Sequence, residues 1–306
     1  MSAAEWPKIA VVGAGAVGGY FGGMLARAGA PVAFIGRRVF VDAVNRDGLF
    51  LDTVEFKESV KVQGSTELAA ARNAEIVLFC VKTTDTAIAA RELAPLLREN
   101  AIVVSLQNGV DNAEQIQAAS GLHALAAAVY VAASVPLPGT VKHVGRGDLV
   151  LGPQSESTAR VAAVFARAKV PCKISENLAA ELWTKLVWNC ALNAMSALGR
   201  ATYGDILVSE DARQLLEGTV YEVLSVAKAG GILLPLFDDP KVALAGGLRI
   251  AAEMAATRSS TAQDMMRGKK TEIDSLNGFV VRKGRALSVP TPINHALFTL
   301  VKLAES

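Results

Sequence analysis

Three observations predict the fold class of this 306-residue chain. A strand–glycine turn–helix–strand unit opens the sequence, strand and helix patterns then alternate to about residue 175, and the periodicity is helical from residue 178 onwards. Together they predict an α/β protein: a Rossmann-type doubly wound sheet over residues 1–177, followed by an all-α C-terminal domain over 178–306. The length agrees, because a chain of this size normally divides into more than one core.

The opening unit is KIAVVGAGAVGGYFGGMLARAGAPVAFIGRR. Residues 8–12 form a short β-branched run, and Gly13-Ala14-Gly15-Ala16-Val17-Gly18 makes the turn. Ala, Met and Leu then recur at helical spacing to Gly29, and a second strand runs over Val32–Ile35. This is the context that a dinucleotide fingerprint requires. Gly13 permits the tight turn, Gly15 lets the backbone approach a pyrophosphate, and Gly18 lets helix and strand pack closely. The N-terminus of the helix then faces the phosphates. At the end of the second strand stand Gly36-Arg37-Arg38, where an NAD site usually places Asp or Glu. Two guanidiniums and no carboxylate select NADP(H), the alternative being two solvated arginines.

Further strands are expected in EIVLFCVK (75–82) and AIVVSLQNG (101–109), with a helix in TAIAARELAPLLREN between them. Both end in polar residues where an open α/β sheet has its ligand crevice, so Lys82 and Asn108-Gly109 are expected to point towards the cofactor. LVLGP (149–153), a helix in STARVAAVFARAK and a last strand in VPCKIS (170–175) complete the alternation. Glycine and proline punctuation at GGILLP, GG and SVPTP separates the helices of the second half.

Composition narrows the class. Hydrophobic residues make up 51% and charged residues 20%, as in a soluble protein, and the net charge of +2 is too small and dispersed to point to nucleic acid or membrane. Residues 115–140 carry no charge but hold Gln115, Gln117, His123, Pro136 and Pro138, so they read as a buried strand with flanking loops. Cys80, Cys172 and Cys190 stand singly in apolar segments with no metal spacing to the three histidines, which suits buried thiols in a reducing compartment and no metal. The N-terminal stretch has no basic region before an apolar one, so no signal peptide is expected and the location is taken as cytoplasmic.

In the second half, ELWTKLVWNCALNAMSAL (181–198) is apolar nearly all round yet carries Lys185, Asn189 and Asn193 at steps of four. At about 100° per residue these three fall within roughly 80° of one another, with Ser196 between them in angle. Burying an ammonium and two amides is costly without partners. In a cleft the stripe makes chemical sense. A partly desolvated lysine has its pKa lowered from about 10.4 and can give a proton near neutral pH, and neutral amides can bind hydroxyl and carboxylate oxygens. The alternative is a lysine that snorkels to the surface and asparagines that cap loops. A second polar island, TRSSTAQDMMRGKKTEIDSLNGF (257–279), has structural readings of its own: Ser260 with Gln263 fits a capping box, and Glu272 sits in the first turn of the next helix.

GAGAVG, VK at 81–82, QNG at 107–109, WTKLVWNCALN at 183–193, and SSTAQD with TEIDSLNGF at 259–279 occur in the order and at the intervals of one family. From about Ile9 to Lys302 the chain resembles the ketopantoate reductases (2-dehydropantoate 2-reductases). The resemblance implies NADPH-dependent reduction of the small 2-oxo acid 2-dehydropantoate to pantoate, which supplies pantothenate and coenzyme A. It implies that Lys185 is the proton donor, that Asn189, Asn193, Ser260 and Asn108 bind substrate, and that Lys82, Asn108 and Glu272 contact the cofactor or shape the closed cleft. Two positions depart from the family: Tyr203-Gly204-Asp205 where Asn-Gly-Glu is frequent, and Val131-Ala132 where a Thr-His pair is common. They bear on which 2-oxo acid is reduced, so another branched 2-oxo acid stands as the alternative substrate. A 3-hydroxy acid or opine-type dehydrogenase and a catalytically silent NADP-binding regulator are the other readings, in a monomer or a homodimer.

Overall fold

Described residues of the computed structural model run over 5–234 and 239–305. The first four residues of the N-terminal stretch, and Pro235 of the GGILLP punctuation, lie outside them. Contacts divide the chain into two compact units, to Leu178 and from Ala179.

In the first unit, the predicted opening is β1 (Ile9–Val12), α1 (Ala16–Arg27) and β2 (Val32–Ile35). There follow α2 (Arg38–Asp47), β3 (Leu49–Asp52), β4 (Lys57–Val60), β5 (Gln63–Ser65), β6 (Ile76–Phe79) and α3 (Thr86–Leu93). Next come β7 (Ile102–Ser105), α4 (Asn112–Ser120), β8 (Ala124–Ser134), β9 (Thr140–Leu151), α5 (Glu156–Arg167) and β10 (Cys172–Ile174). The sheet order is β4-β3-β9-β8-β7-β6-β1-β2-β5, with β10 beside β9. From β5 to β8 every neighbouring pair is parallel.

The four residues of β1 and of β6 are all buried, because helices cover both faces of a parallel sheet. Alternate residues divide between the faces. Val11, Phe34, Leu78 and Val104 pack with Phe21 and Leu25 of α1 and Phe165 of α5. Val12, Val77, Phe79 and Val103 pack with Ala90 and Leu93 of α3 and Ile116 of α4.

This unit differs from the sequence reading in several parts: α2, β3, β4 and β5 fill a stretch for which it named no element, and α3 ends at Leu93, short of the expected helix. The uncharged stretch at 115–140 contributes most of α4 before its strand, so it is not flanked by loops alone. LVLGP is only the end of the 12-residue β9, which pairs antiparallel with β8. The β9 residues Lys142, Arg146 and Asp148, on its more exposed face, hid it, because a half-exposed antiparallel strand carries polar residues where a buried parallel one does not. Val131 and Ala132 lie between two register shifts of the β8–β9 pair.

The second unit holds α6 (Leu178–Leu198), most of whose length it contains, then α7 (Tyr203–Val208), α8 (Glu210–Ala229), α9 (Pro240–Glu253), α10 (Ser260–Met266), α11 (Asn277–Ala286) and α12 (Pro292–Ala304). Trp183, Leu186, Val187, Trp188, Cys190, Ala191, Leu192, Ala194 and Met195 are all buried, as a helix apolar on every side requires. The pair Gly246-Gly247 does not separate two helices; it lies inside α9. A Cβ at Gly247 would overlap the indole of Trp188, so the missing side chain is the seat for that ring. Close packing outweighs the helix-breaking tendency of glycine here.

Candidate functional site

The predicted residues fall into two sets, one on each unit. In the first, strand order reverses between β1 and β6, and the glycine turn stands at that reversal. Gly13 has φ +95°, and a Cβ there would lie 2.5 Å from the Val81 amide nitrogen and 2.6 Å from the Cys80 carbonyl carbon. Its turn is held by N–H donation from Gly13 and Ala14 to the Ile35 carbonyl, at 3.0 and 3.1 Å. A Cβ on Gly18 would meet Val11 and the Gly13 carbonyl, whereas one on Gly15 would meet nothing within 4 Å. Gly15 is the N-cap of α1, with no side-chain cap, and the first turn of Ala16, Val17 and Gly18 carries no acidic residue. The first N–H groups of a helix have no partners within it and favour an anion. An open approach at Gly15, a positive helix end and no competing carboxylate fit a dinucleotide phosphate.

Arg37 is the N-cap of α2 and Arg38 its first residue. Both are exposed, and among the described residues neither makes an ion pair. Lys82 follows β6 and Asn108 follows β7, both half-buried on the same edge of the sheet as Gly13. A residue left out of the sequence reading joins these two loops. The Gln107 amide donates to the Val81 carbonyl at 3.0 Å and to the Thr86 hydroxyl at 2.7 Å, and its oxygen accepts from Ser105 Oγ at 2.9 Å. The Asn108 carbonyl, next along, accepts from Asn112 Nδ2 at 2.6 Å and from Thr83 Oγ1 at 3.3 Å. Gln107 stands inside the quoted QNG, but nothing in sequence distinguishes a buried brace from a loop glutamine. Gln107→Leu strands the Val81 carbonyl and the Thr86 hydroxyl, so we expect a loss of about 2 kcal/mol. Urea unfolding of the pure variant measures it.

On the second unit, Lys185 and Asn189 are half-buried on α6 and Asn193 is buried. Among the described residues no hydrogen bond engages the side-chain amide of Asn189 or Asn193. Ser196, on the same stripe, behaves differently. Its hydroxyl donates to the Ala201 carbonyl at 2.7 Å and accepts from the Ser259 amide at 3.1 Å, so it belongs to the scaffold. Ser259 Oγ donates to the Asn193 carbonyl at 3.1 Å and accepts the Ala262 amide at 3.0 Å. These bonds seat the start of α10 on the far end of the stripe and bring Ser260 there.

The capping expectation is corrected by one residue: Ser259 is the N-cap, Ser260 is the exposed first residue of α10, and the Gln263 amide donates to the Arg258 carbonyl. Buried Ser259 faces α6, so it is the serine free to point back at the helix end. Glu272 is not in the first turn of an α-helix. It precedes a short 3₁₀ turn over Ile273–Ser275, and α11 begins only at Asn277.

Tyr203 opens α7 beside this cluster, its N–H donating to the Thr257 carbonyl at 3.0 Å. Burial pushes its phenol up to about 12. Asp205 has a purely local explanation. Its carboxylate accepts from the hydroxyl and the amide of Thr202 at 2.7 and 2.8 Å, which closes a capping box and holds the carboxyl below its usual range.

Among the described residues no cluster of His, Cys, Asp or Glu could hold a metal, and no helix is long and apolar enough to cross a membrane. A parallel sheet that reverses its strand order at an uncapped helix end, with a helical second unit bearing a polar stripe, defines a Rossmann-type protein with a helical partner domain. Comparison with known proteins narrows this. The model of the family "Ketopantoate reductase PanE/ApbA" matches residues 9–156, and the model of its C-terminal part matches 177–305. The 2-dehydropantoate 2-reductase of Pyrococcus abyssi is 32% identical, over 98% of this chain and 98% of its own. A PanE/ApbA family ketopantoate reductase of Ralstonia eutropha has a structure with TM-score 0.92 and 47% identity, covering 97% of this chain and 98% of that one. The 2-dehydropantoate 2-reductase of Geobacter metallireducens follows, with TM-score 0.90, 28% identity and coverage of 97% and 99%. The chain belongs to the ketopantoate reductase family and is an oxidoreductase.

Proposed function

We propose that this enzyme reduces 2-dehydropantoate to pantoate with NADPH, in the cytoplasm, as a step towards pantothenate and coenzyme A. One observation carries the reading. Asn189 and Asn193 present amides on the stripe of Lys185 that the protein leaves unpaired among the described residues, although Asn193 is only 5% exposed. Buried amides seek partners, and the neighbouring Ser196 has found them in the chain. Two amides held open beside a lysine suit the oxygens of a hydroxylated 2-oxo acid.

The residues then divide the work. Gly13–Gly18 hold the pyrophosphate of the nucleotide at the start of α1, and Arg37 and Arg38 hold its 2′-phosphate. Lys82 and Asn108 line the edge of the same sheet, where Gln107 keeps their loops in register. Bound there, NADPH supplies the hydride to the ketone carbon. Asn189, Asn193 and Ser260 orient the oxo acid, and Asn108 and Glu272 are assigned further contacts to substrate or cofactor. Lys185 gives its proton to the ketone oxygen as negative charge develops there, so the product leaves as the 2-hydroxy acid.

Cofactor choice rests on Arg37 and Arg38. Replacing both by alanine is expected to raise KM for NADPH about 10–100-fold and to leave KM for NADH nearly unchanged, because charge-assisted bonds to a phosphate contribute about 1.5–3 kcal/mol. Loss of reduced-nicotinamide absorbance measures both, and an unaltered NADPH preference would count against the assignment. The substrate is tested in the same assay with 2-dehydropantoate, 2-oxoisovalerate and 2-oxopantoyl lactone. A marked preference for 2-dehydropantoate supports the reading; turnover of 2-oxoisovalerate alone overturns it. Buried Tyr203, tied to the stretch of chain leading to Ser260, is the observation behind the one alternative, a reductase of another branched 2-oxo acid.

A further inference from the structure

Behind α6, side chains of α8, α11 and α12 form a relay in which Asn277 and Asn294 are buried and Glu222 is half-buried. Glu222 of α8 receives the Ile293 and Asn294 amides at 2.8 Å each, so its carboxylate occupies the N-terminus of α12. Asn294 Nδ2 also donates to Glu222 at 2.8 Å, and Asn294 Oδ1 accepts from Asn277 Nδ2 at 2.9 Å. Asn277 Nδ2 makes a second donation, at 3.1 Å, to the carbonyl of Cys190 in the middle of α6. Asn277, Asn294 and Cys190 are all 0% exposed.

The relay has a direction. A carboxylate only accepts, so the Asn294 amide nitrogen must face Glu222 and its oxygen must face Asn277. Asn277 must then turn its nitrogen towards both Asn294 and Cys190. Its own Oδ1 is left buried without a partner. A buried orphaned acceptor is unfavourable, and leucine, of similar size, would remove this one while leaving Asn294 Oδ1 without its donor. What Asn277 provides in return is two donations, one to Asn294 Oδ1 and one to the Cys190 carbonyl. That carbonyl already closes the helical bond four residues on, so the amide takes its second lone pair and adds a tie from outside the helix.

Cys190 lies between Asn189 and Asn193 along α6. We propose that Asn277 is a positioning residue: by holding the Cys190 carbonyl it fixes the rotation of α6, and so the direction in which Lys185, Asn189 and Asn193 point. The proposal rests on the reading of that stripe as the substrate wall.

The test uses the full-length enzyme, with Asn277→Leu and Asn277→Asp. Leucine removes the tie and the Asn277 orphan but leaves Asn294 Oδ1 without its donor, so the variant should stay folded with a modestly lowered Tm yet show kcat/KM for the oxo acid about 10–100-fold lower, with Kd for NADPH within about twofold, since the phosphate turn lies on the other unit. Aspartate keeps the shape but presents an acceptor to two acceptors, and should lose more. In parallel, hydrogen exchange should show faster exchange of the α6 amides around Ala194 in Asn277→Leu. A folded Asn277→Leu enzyme with wild-type kcat/KM and unchanged α6 exchange overturns the proposal. A wild type inert towards every 2-oxo acid overturns the reading of the stripe instead, and the exchange experiment then still decides whether Asn277 holds α6.

Discussion

Lys185→Ala is expected to lower kcat for oxo-acid reduction by about 10²–10⁴-fold, the usual contribution of a positioned general acid. Kd for NADPH should stay within about twofold, because the residues assigned to the phosphates stand in the glycine turn, the first turn of α1 and the start of α2, all on the first unit. Stability should change little. Lys185 is half-buried rather than a core side chain, and truncating it leaves the surrounding Trp183, Leu186 and Val187 in place. The loss should appear in kcat and kcat/KM together, as it does when an interaction made only in the transition state is removed. Lys185→Arg should recover little, since a guanidinium stays protonated and gives up no proton. Steady-state kinetics with fluorescence titration of NADPH separates these quantities. Wild-type turnover in Lys185→Ala would sink the assignment of the proton donor.

Gly13→Ala is expected to cost about 2–5 kcal/mol and to abolish measurable NADPH binding. Two penalties combine. A side chain at φ +95° is strained by about 1–2 kcal/mol, and forcing a methyl into filled space typically costs a further 1–3 kcal/mol. Here the space is taken by backbone: the Val81 nitrogen and the Cys80 carbonyl would lie 2.5–2.7 Å from the new carbon. A flexible side chain could swing aside, but the end of β6 cannot, because Cys80 donates to the Val12 carbonyl at 2.7 Å and Gln107 holds the Val81 carbonyl. The turn must therefore shift and carry the start of α1 with it. Gly15→Ala is the control, because a Cβ there meets nothing within 4 Å. It should leave stability near wild type and weaken nucleotide binding alone. Thermal unfolding with and without NADPH compares the two, and equal behaviour of both variants would refute the account.

Local pattern along the chain was enough to place the opening of the fold. The run of β-branched residues, the glycine turn and the helix that follows are set by neighbours within a few residues, and β1, α1 and β2 stand where that pattern places them. Helical periodicity likewise put Lys185, Asn189, Asn193 and Ser196 on one face, because a helix fixes angle from spacing alone. Tertiary structure decided what those residues face. Asn193 and Ser196 look equivalent on a helical wheel, yet the chain uses the Ser196 hydroxyl to seat Ser259 and leaves the Asn193 amide open. Ser259, not Ser260, caps α10 because α6 lies against it, and Gly247 inside α9 is a seat for Trp188, whose ring fills the space a side chain there would need. Gln107 and Asn277 acquire their roles from partners 26 and 87 residues away. A hydrogen bond forms between groups that the fold brings together, and at such separations no spacing in the sequence records which groups those will be.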